Sequence, residues 1–158
     1  MPFPKRVYTE KEVEQARTYI KQGWKHELKV EGSSEFKHRT KEALDLVKAA
    51  VYEDFFRTYI RDIVEIEGFS QLRETEVAIW ANRELLQDPV DAASFFVQKA
   101  QQMKDFLEDK PYYSGQGEMR AVNKRIEFLK TLKLKSNNPS VRQRCDEILK
   151  KYSESAFF

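Results

Sequence analysis

Glycine and proline frame this chain: five of each in 158 residues, placed so that helix-length segments fall between them. Pro2 and Pro4 stand in an N-terminal leader, and Gly23, Gly32, Gly68, Pro89, Pro111, Gly115, Gly117 and Pro139 divide the rest. In a helix interior, glycine costs about 1 kcal/mol relative to alanine and proline about 3 kcal/mol, so these positions report where helices end. The segmentation predicts an all-α fold, a single-domain bundle of six or seven mostly antiparallel helices.

Local signals place those helices. Thr9 and Glu12 have the spacing of a capping box, and Val13, Ala16, Ile20 and Trp24 follow at helical intervals, which predicts a helix over 10–22. Residues 24–31 fit either a short extended segment or a further helical turn. Ser34 is the expected cap of the longest segment. Phe36, Ala43, Val47, Ala50, Phe55, Tyr59, Ile63 and Ile66 trace one apolar stripe from there to Gly68. That stripe predicts a central element over about 35–66, either one helix or two bent near Tyr52–Asp54, and its second apolar face at Phe56 and Ile60 marks it as the most buried of the domain. Ser70 is expected to open the next helix, with Leu72, Val77, Ile79, Trp80 and Leu86 inside. Asp88-Pro89 and Asn138-Pro139 each combine a capping side chain with proline at the first helical position. They predict helices ending near Asp109 and carrying Cys145 on an apolar stripe; a third between them runs from the 110–117 loop to about Leu134.

Composition excludes several classes. Charged residues make up 34% and apolar residues 41%, so the chain can build a core. No apolar run approaches the ~20 residues that span a bilayer, and the leader lacks the apolar stretch of a signal peptide. A single cysteine rules out an internal disulfide. These features lead to the expectation of a cytoplasmic protein without membrane contact.

Charge is unevenly distributed. Residues 53–109 carry 13 acidic and 6 basic side chains, whereas residues 119–151 carry 10 basic and 3 acidic. Such blocks either neutralise one another when helices pack or leave faces of opposite sign.

Motifs for catalysis are sparse. Glu35, His38 and Glu42 share helical spacing and form a weak metal candidate, but a carboxylate-bridged di-metal bundle needs that motif twice. The only other histidine, His26, has Gly23 three places before it. Cys145 reads as a core residue. No cofactor is expected, and the balance leans away from an enzyme.

Two readings remain. A helical interaction module (an adaptor, a regulatory protein or an oligomer-forming protein) accounts for the aromatic pairs, with Phe157 and Phe158 as partner contacts. The alternative is a nucleic-acid-binding protein using the basic 119–151 region. In that case Tyr112 and Tyr113 would stack on bases, Gly115 and Gly117 would open free amides to an anion, and Lys124 and Arg125 would reach phosphates.

Overall fold

The all-α expectation is overturned by a four-stranded mixed sheet in the middle of the chain. The computed structural model, which describes residues 2–155, places β1 at Lys29–Glu31, β2 at Asp62–Glu65, β3 at Gln71–Arg73 and β4 at Ala78–Ala81. Among the described residues there are six α-helices: α1 (Glu10–Lys21), α2 (Ser34–Ala49), α3 (Glu53–Tyr59), α4 (Pro89–Leu107), α5 (Ser114–Lys135) and α6 (Pro139–Ser155).

Strand order is β1-β2-β4-β3. β1, β2 and β4 run parallel, and β3 pairs antiparallel with β4 at the edge. The connection from β1 through α2 and α3 to β2 is a parallel crossover of the kind parallel neighbours require. Register aligns Val30, Ile63, Ile79 and Leu72 across the four strands. Alternation puts these four on one face, where α2 and α4 pack. Trp80 lies on the opposite face, with the Arg73 guanidinium 4.2 Å from its ring centroid.

Two sequence expectations fail for one reason. Each strand has only three or four residues, too few for a period-2 pattern to stand out against a helical one. The expected element over 35–66 is therefore a helix, a turn, a short helix and a strand. Val51 takes a left-handed backbone (φ 63°), Tyr52 N–H closes the turn onto the Val47 carbonyl, and Ile60 turns extended into β2. The break lies where the two-helix alternative put it, near Tyr52–Asp54, although the left-handed turn itself falls on Val51, a β-branched residue that rarely adopts that conformation. The helix expected from Ser70 is instead β3, a 3₁₀ turn at Glu74–Glu76 and β4. Between 24 and 31 the chain is extended into β1.

Capping follows local chemistry. The Thr9–Glu12 box forms reciprocally, the Asp88 carboxylate accepts from Asp91 N–H, and Asn138 accepts from Ser140 and Val141 N–H. Ser33, one residue before the expected Ser34, caps α2 by accepting from Phe36 N–H.

The central element is α4. Val90, Ala92, Ala93, Phe96, Val97, Ala100, Met103 and Leu107 are all buried, and the helix touches the sheet and each of the other five helices. Its alanines carry little side-chain bulk, which permits close approach of neighbours. No helix among the described residues is long and apolar enough to cross a membrane.

At the amino ends of the strands, the leader is clasped by Arg61. Its guanidinium donates to the carbonyls of Pro4 (2.9 Å), Lys5 (2.7 Å) and Glu76 (3.0 Å). Phe3 then stacks on Trp24 and meets the edge of His26, whose Nδ1 accepts from the Trp24 indole N–H at 3.1 Å. His26 is 1% exposed. Burial, reinforced by Arg61 and Arg57, holds its pKa at about 4.

His26 therefore stays neutral in the fold while the unfolded chain binds its proton near pH 6.5. The unfolded state carries the extra proton between those values, so stability falls as pH drops from about 6.5 to 4, by roughly 3 kcal/mol in total. The expected result is a falling thermal midpoint over that window, with a flatter slope in His26→Phe. Equal slopes in both proteins would contradict the assignment.

Candidate functional site

Parallel strands leave their carboxyl ends as the place where loops can gather polar groups, since the amino ends here are closed by the leader. β1, β2 and β4 end at Glu31, Glu65 and Ala81 and run into three turns that meet at this edge. A cleft of about 720 Å³ opens there, lined by Glu65, Ile66, Glu67, Gly68, Phe69, Asn82, Arg83 and Glu84. A second cavity of about 520 Å³ shares Arg83 and extends to Glu35, Arg39 and Gln87.

Glu65 organises this edge. One carboxylate oxygen accepts Ser33 N–H at 2.8 Å and the other accepts Arg83 Nε–H at 2.7 Å. The Ser33 amide, followed by Arg83, holds the Glu65 carboxyl below the usual carboxylate range. Arg83 is anchored while its side chain stays 71% exposed, so a guanidinium is displayed between the two cavities. Gly32 makes the arrangement fit. A Cβ there would lie 2.7 Å from Phe36 Cδ2 and 2.8 Å from Glu65 Cβ.

The loop after β2 is braced in a similar way. Asn82 donates its side-chain amide to the Gly68 carbonyl (3.0 Å), and its backbone N–H to Ser70 Oγ (3.0 Å). Gln71 donates to the Phe69 carbonyl (3.2 Å). Between these ties, the Phe69 side chain is held out to solvent, 90% exposed. Glu67 and Glu84 beside it form no ion pair among the described residues, so three carboxylates face one guanidinium in the cleft.

Of the described sequence candidates, Glu35 borders the second cavity and the others lie away from it. Glu35, His38 and Glu42 lie on the exposed side of α2, with Glu35 bridging Arg39 (3.9 Å) and His38 Nε2 3.4 Å from Glu42. No group of three or more metal-ligating side chains occurs among the described residues. Cys145 is buried, and burial with Asp146 nearby pushes its thiol up to about 11.

The 110–117 loop is tied down on both sides. Gln102 donates to the Tyr112 carbonyl (2.9 Å) and Arg120 to that of Pro111 (2.7 Å). Tyr112 and Tyr113 pack against each other with both hydroxyls directed at the Glu74 carboxylate. Burial and Glu74 raise the Tyr112 hydroxyl to about 12. A Cβ on Gly117 would lie 2.4 Å from the Pro111 carbonyl oxygen, so that glycine serves chain packing. Gly115 stays exposed at the irregular first turn of α5.

Four of the ten cations of the basic block form ion pairs across helices among the described residues. Arg125 reaches Asp91 (2.6 Å), Ser94 (2.8 Å) and Gln98 (2.8 Å). Arg120 bridges Asp105, Arg144 bridges Asp88, and Lys133 bridges Asp146. Lys124 pairs with Glu127 and lies over the Phe55 ring. Phe157 and Phe158, named as partner contacts, lie outside the described residues.

Sequence inspection missed Glu65, Phe69 and Arg83. The available signal was Gly68-Phe69-Ser70, a bulky aromatic placed between turn-forming residues. Comparison with protein-family models, with curated proteins and with solved structures finds no match to this chain.

Two variants test this account. Gly32→Ala should lower stability by about 1–3 kcal/mol through overpacking. It should also accelerate hydrogen exchange at the Ser33 amide; unchanged exchange there would remove the close-approach argument. Arg125→Ala should lower stability by about 2–3 kcal/mol, because it strands Asp91 and the buried Ser94 hydroxyl without their donor. A denaturant titration showing less than half that loss would make Arg125 a surface cation.

Proposed function

We propose that this chain is a protein-interaction module that works through contacts, not through chemistry, with the cleft at the carboxyl ends of β2 and β4 as its docking surface. The carrying observation is Phe69. A large aromatic in water forfeits roughly 1.5–3 kcal/mol of burial, and here hydrogen bonds from Asn82 and Gln71 hold its loop in place. A rigid aromatic anchor beside a cleft is the feature that dominates binding energy at protein interfaces, because little conformational entropy is lost on docking. Arg83, pre-positioned by Glu65, adds a planar donor fork suited to carboxylate or carbonyl groups of a partner.

Pairing of the basic block favours this reading over nucleic-acid binding. Arg120, Arg125, Lys133 and Arg144 spend their charge on Asp105, Asp91, Asp146 and Asp88, and Tyr112 and Tyr113 are engaged with Glu74. Arg120, Arg125 and Arg144 of the basic block thus pair with Asp105, Asp91 and Asp88 of the acidic block.

A photo-crosslinking residue at position 69, with mass-spectrometric identification of the attached peptide, tests the proposal in the source cell. The expected outcome is one recurrent protein segment, lost when Arg83→Ala is added. Crosslinks scattered over many abundant proteins would argue against a dedicated surface. Salt-sensitive binding of single-stranded RNA, unaffected by position 69, would move the function to the basic side.

A further inference from the structure

Phe69 and Leu134 are the two most exposed large apolar side chains among the described residues, at 90% and 85%. Their surroundings carry opposite charge. Phe69 shares its cleft with Glu67 and Glu84, neither of which forms an ion pair among the described residues, and the cation lining it, Arg83, is already bound to Glu65. Leu134 lies one helical turn after Lys130 on α5, on the same face, and next to Lys135. Lys130 and Lys135 are exposed and form no ion pair or side-chain hydrogen bond among the described residues, although most cations of α5 and α6 are bridged. Leu134 points away from the core that its neighbours Leu129 and Leu132 enter.

We infer that the partner of the Phe69 cleft is a second copy of this chain, which docks the Lys130–Leu134–Lys135 end of α5. The inference rests on the interaction-module reading and names its partner. In the contact, Leu134 covers Phe69, while the two lysines approach Glu67 and Glu84 of the other copy. Each surface alone sets one exposed apolar residue beside charge that is net of one sign, three carboxylates against Arg83 at Phe69 and two lysines at Leu134, and so repels its own kind. Like charges set face to face are destabilising, so Phe69-to-Phe69 and Leu134-to-Leu134 pairings are both disfavoured and the unlike pairing is selected. Because the joined surfaces differ, the contact is satisfied either reciprocally in a closed pair or head to tail in a longer chain. The charges stand at the rim in water, so they guide association and specificity, and added salt weakens them within a Debye length of about 10 Å at 0.1 M.

The test uses the full chain and two charge-reversed variants, Glu67→Lys with Glu84→Lys, and Lys130→Glu with Lys135→Glu. All four positions are exposed, and circular dichroism checks that each variant folds. Sedimentation velocity is run up to about 1 mM, at low and high ionic strength, since a small contact of this kind binds weakly. The expected result is concentration-dependent association of the native chain that weakens about tenfold or more at high salt, is absent in either variant alone, and returns when the two variants are mixed. Leu134→Ser should weaken it without changing the salt dependence. A native chain that stays monomeric throughout overturns the inference, as does association that persists in both variants. A monomer whose position 69 still crosslinks to one different protein overturns self-association and leaves the docking cleft intact. A monomer with no recurrent crosslink at position 69 removes both.

Discussion

Burial of α4 over most of its circumference is the constraint from which the rest of the fold follows. Phe96, Val97, Ala93 and Ala100 are fully buried in the middle of this helix, where the sheet, α2, α3, α5 and α6 pack against it, while Phe95, Gln98 and Lys99 stay half-buried. Ser94, Gln101, Gln102 and Asp105 go into the same interior. Buried polar groups without partners cost about 1–3 kcal/mol each, so α5 has to supply donors at matching heights. Arg125 meets Ser94, Gln98 and Asp91, and Arg120 meets Asp105, whose second oxygen accepts from Gln101. Arg120 and Arg125 are thus the counterpart of the polar stripe on α4.

The same packing decides where the chain presents itself to others. With the leader clasped by Arg61 at the amino ends of the strands, the polar turns at the carboxyl ends stay open. Glu65 joins the turns after β1, β2 and β4 by accepting from Ser33 and Arg83 at once. Asn82 does the same for the loop that carries Phe69. An ordered loop is a stiffer anchor than its glycine suggests, because three hydrogen bonds replace the freedom that Gly68 would otherwise confer. The loop before α5 has a different character: Gln102, Arg120 and Glu74 spend its polar atoms on internal ties.

Legibility in the sequence tracked the range of the interaction. Thr9 with Glu12, Asp88 with Pro89, and Asn138 with Pro139 start helices in the structure because a cap is made within three residues of itself. Cys145 entered the core as its stripe predicted. β1 fell within the extended alternative for 24–31, but β2, β3 and β4 were invisible because Ile63 and Ile79 acquire their meaning from each other across a ladder. The central element was misplaced from α4 to 35–66 for a related reason: an apolar stripe shows that a face is buried, not how many neighbours bury it. Glu65, Asn82 and Arg83 carried no local mark at all, and their roles arise from contacts with residues 12 to 32 positions away.

By itself, then, the order of residues determined where the capped helices at Thr9, Asp88 and Asn138 start, which faces are apolar, and that two blocks of opposite charge exist. Those properties depend on dihedral preference, side-chain capping and hydrophobic spacing, all of which act within a few residues. Tertiary structure alone decided that short apolar stretches pair into a sheet, that Arg120, Arg125 and Arg144 meet acidic partners on or beside α4, and that Phe69 is left outside. These outcomes turn on which surfaces meet. Burial makes each such contact strong, and the meeting residues lie far apart along the chain.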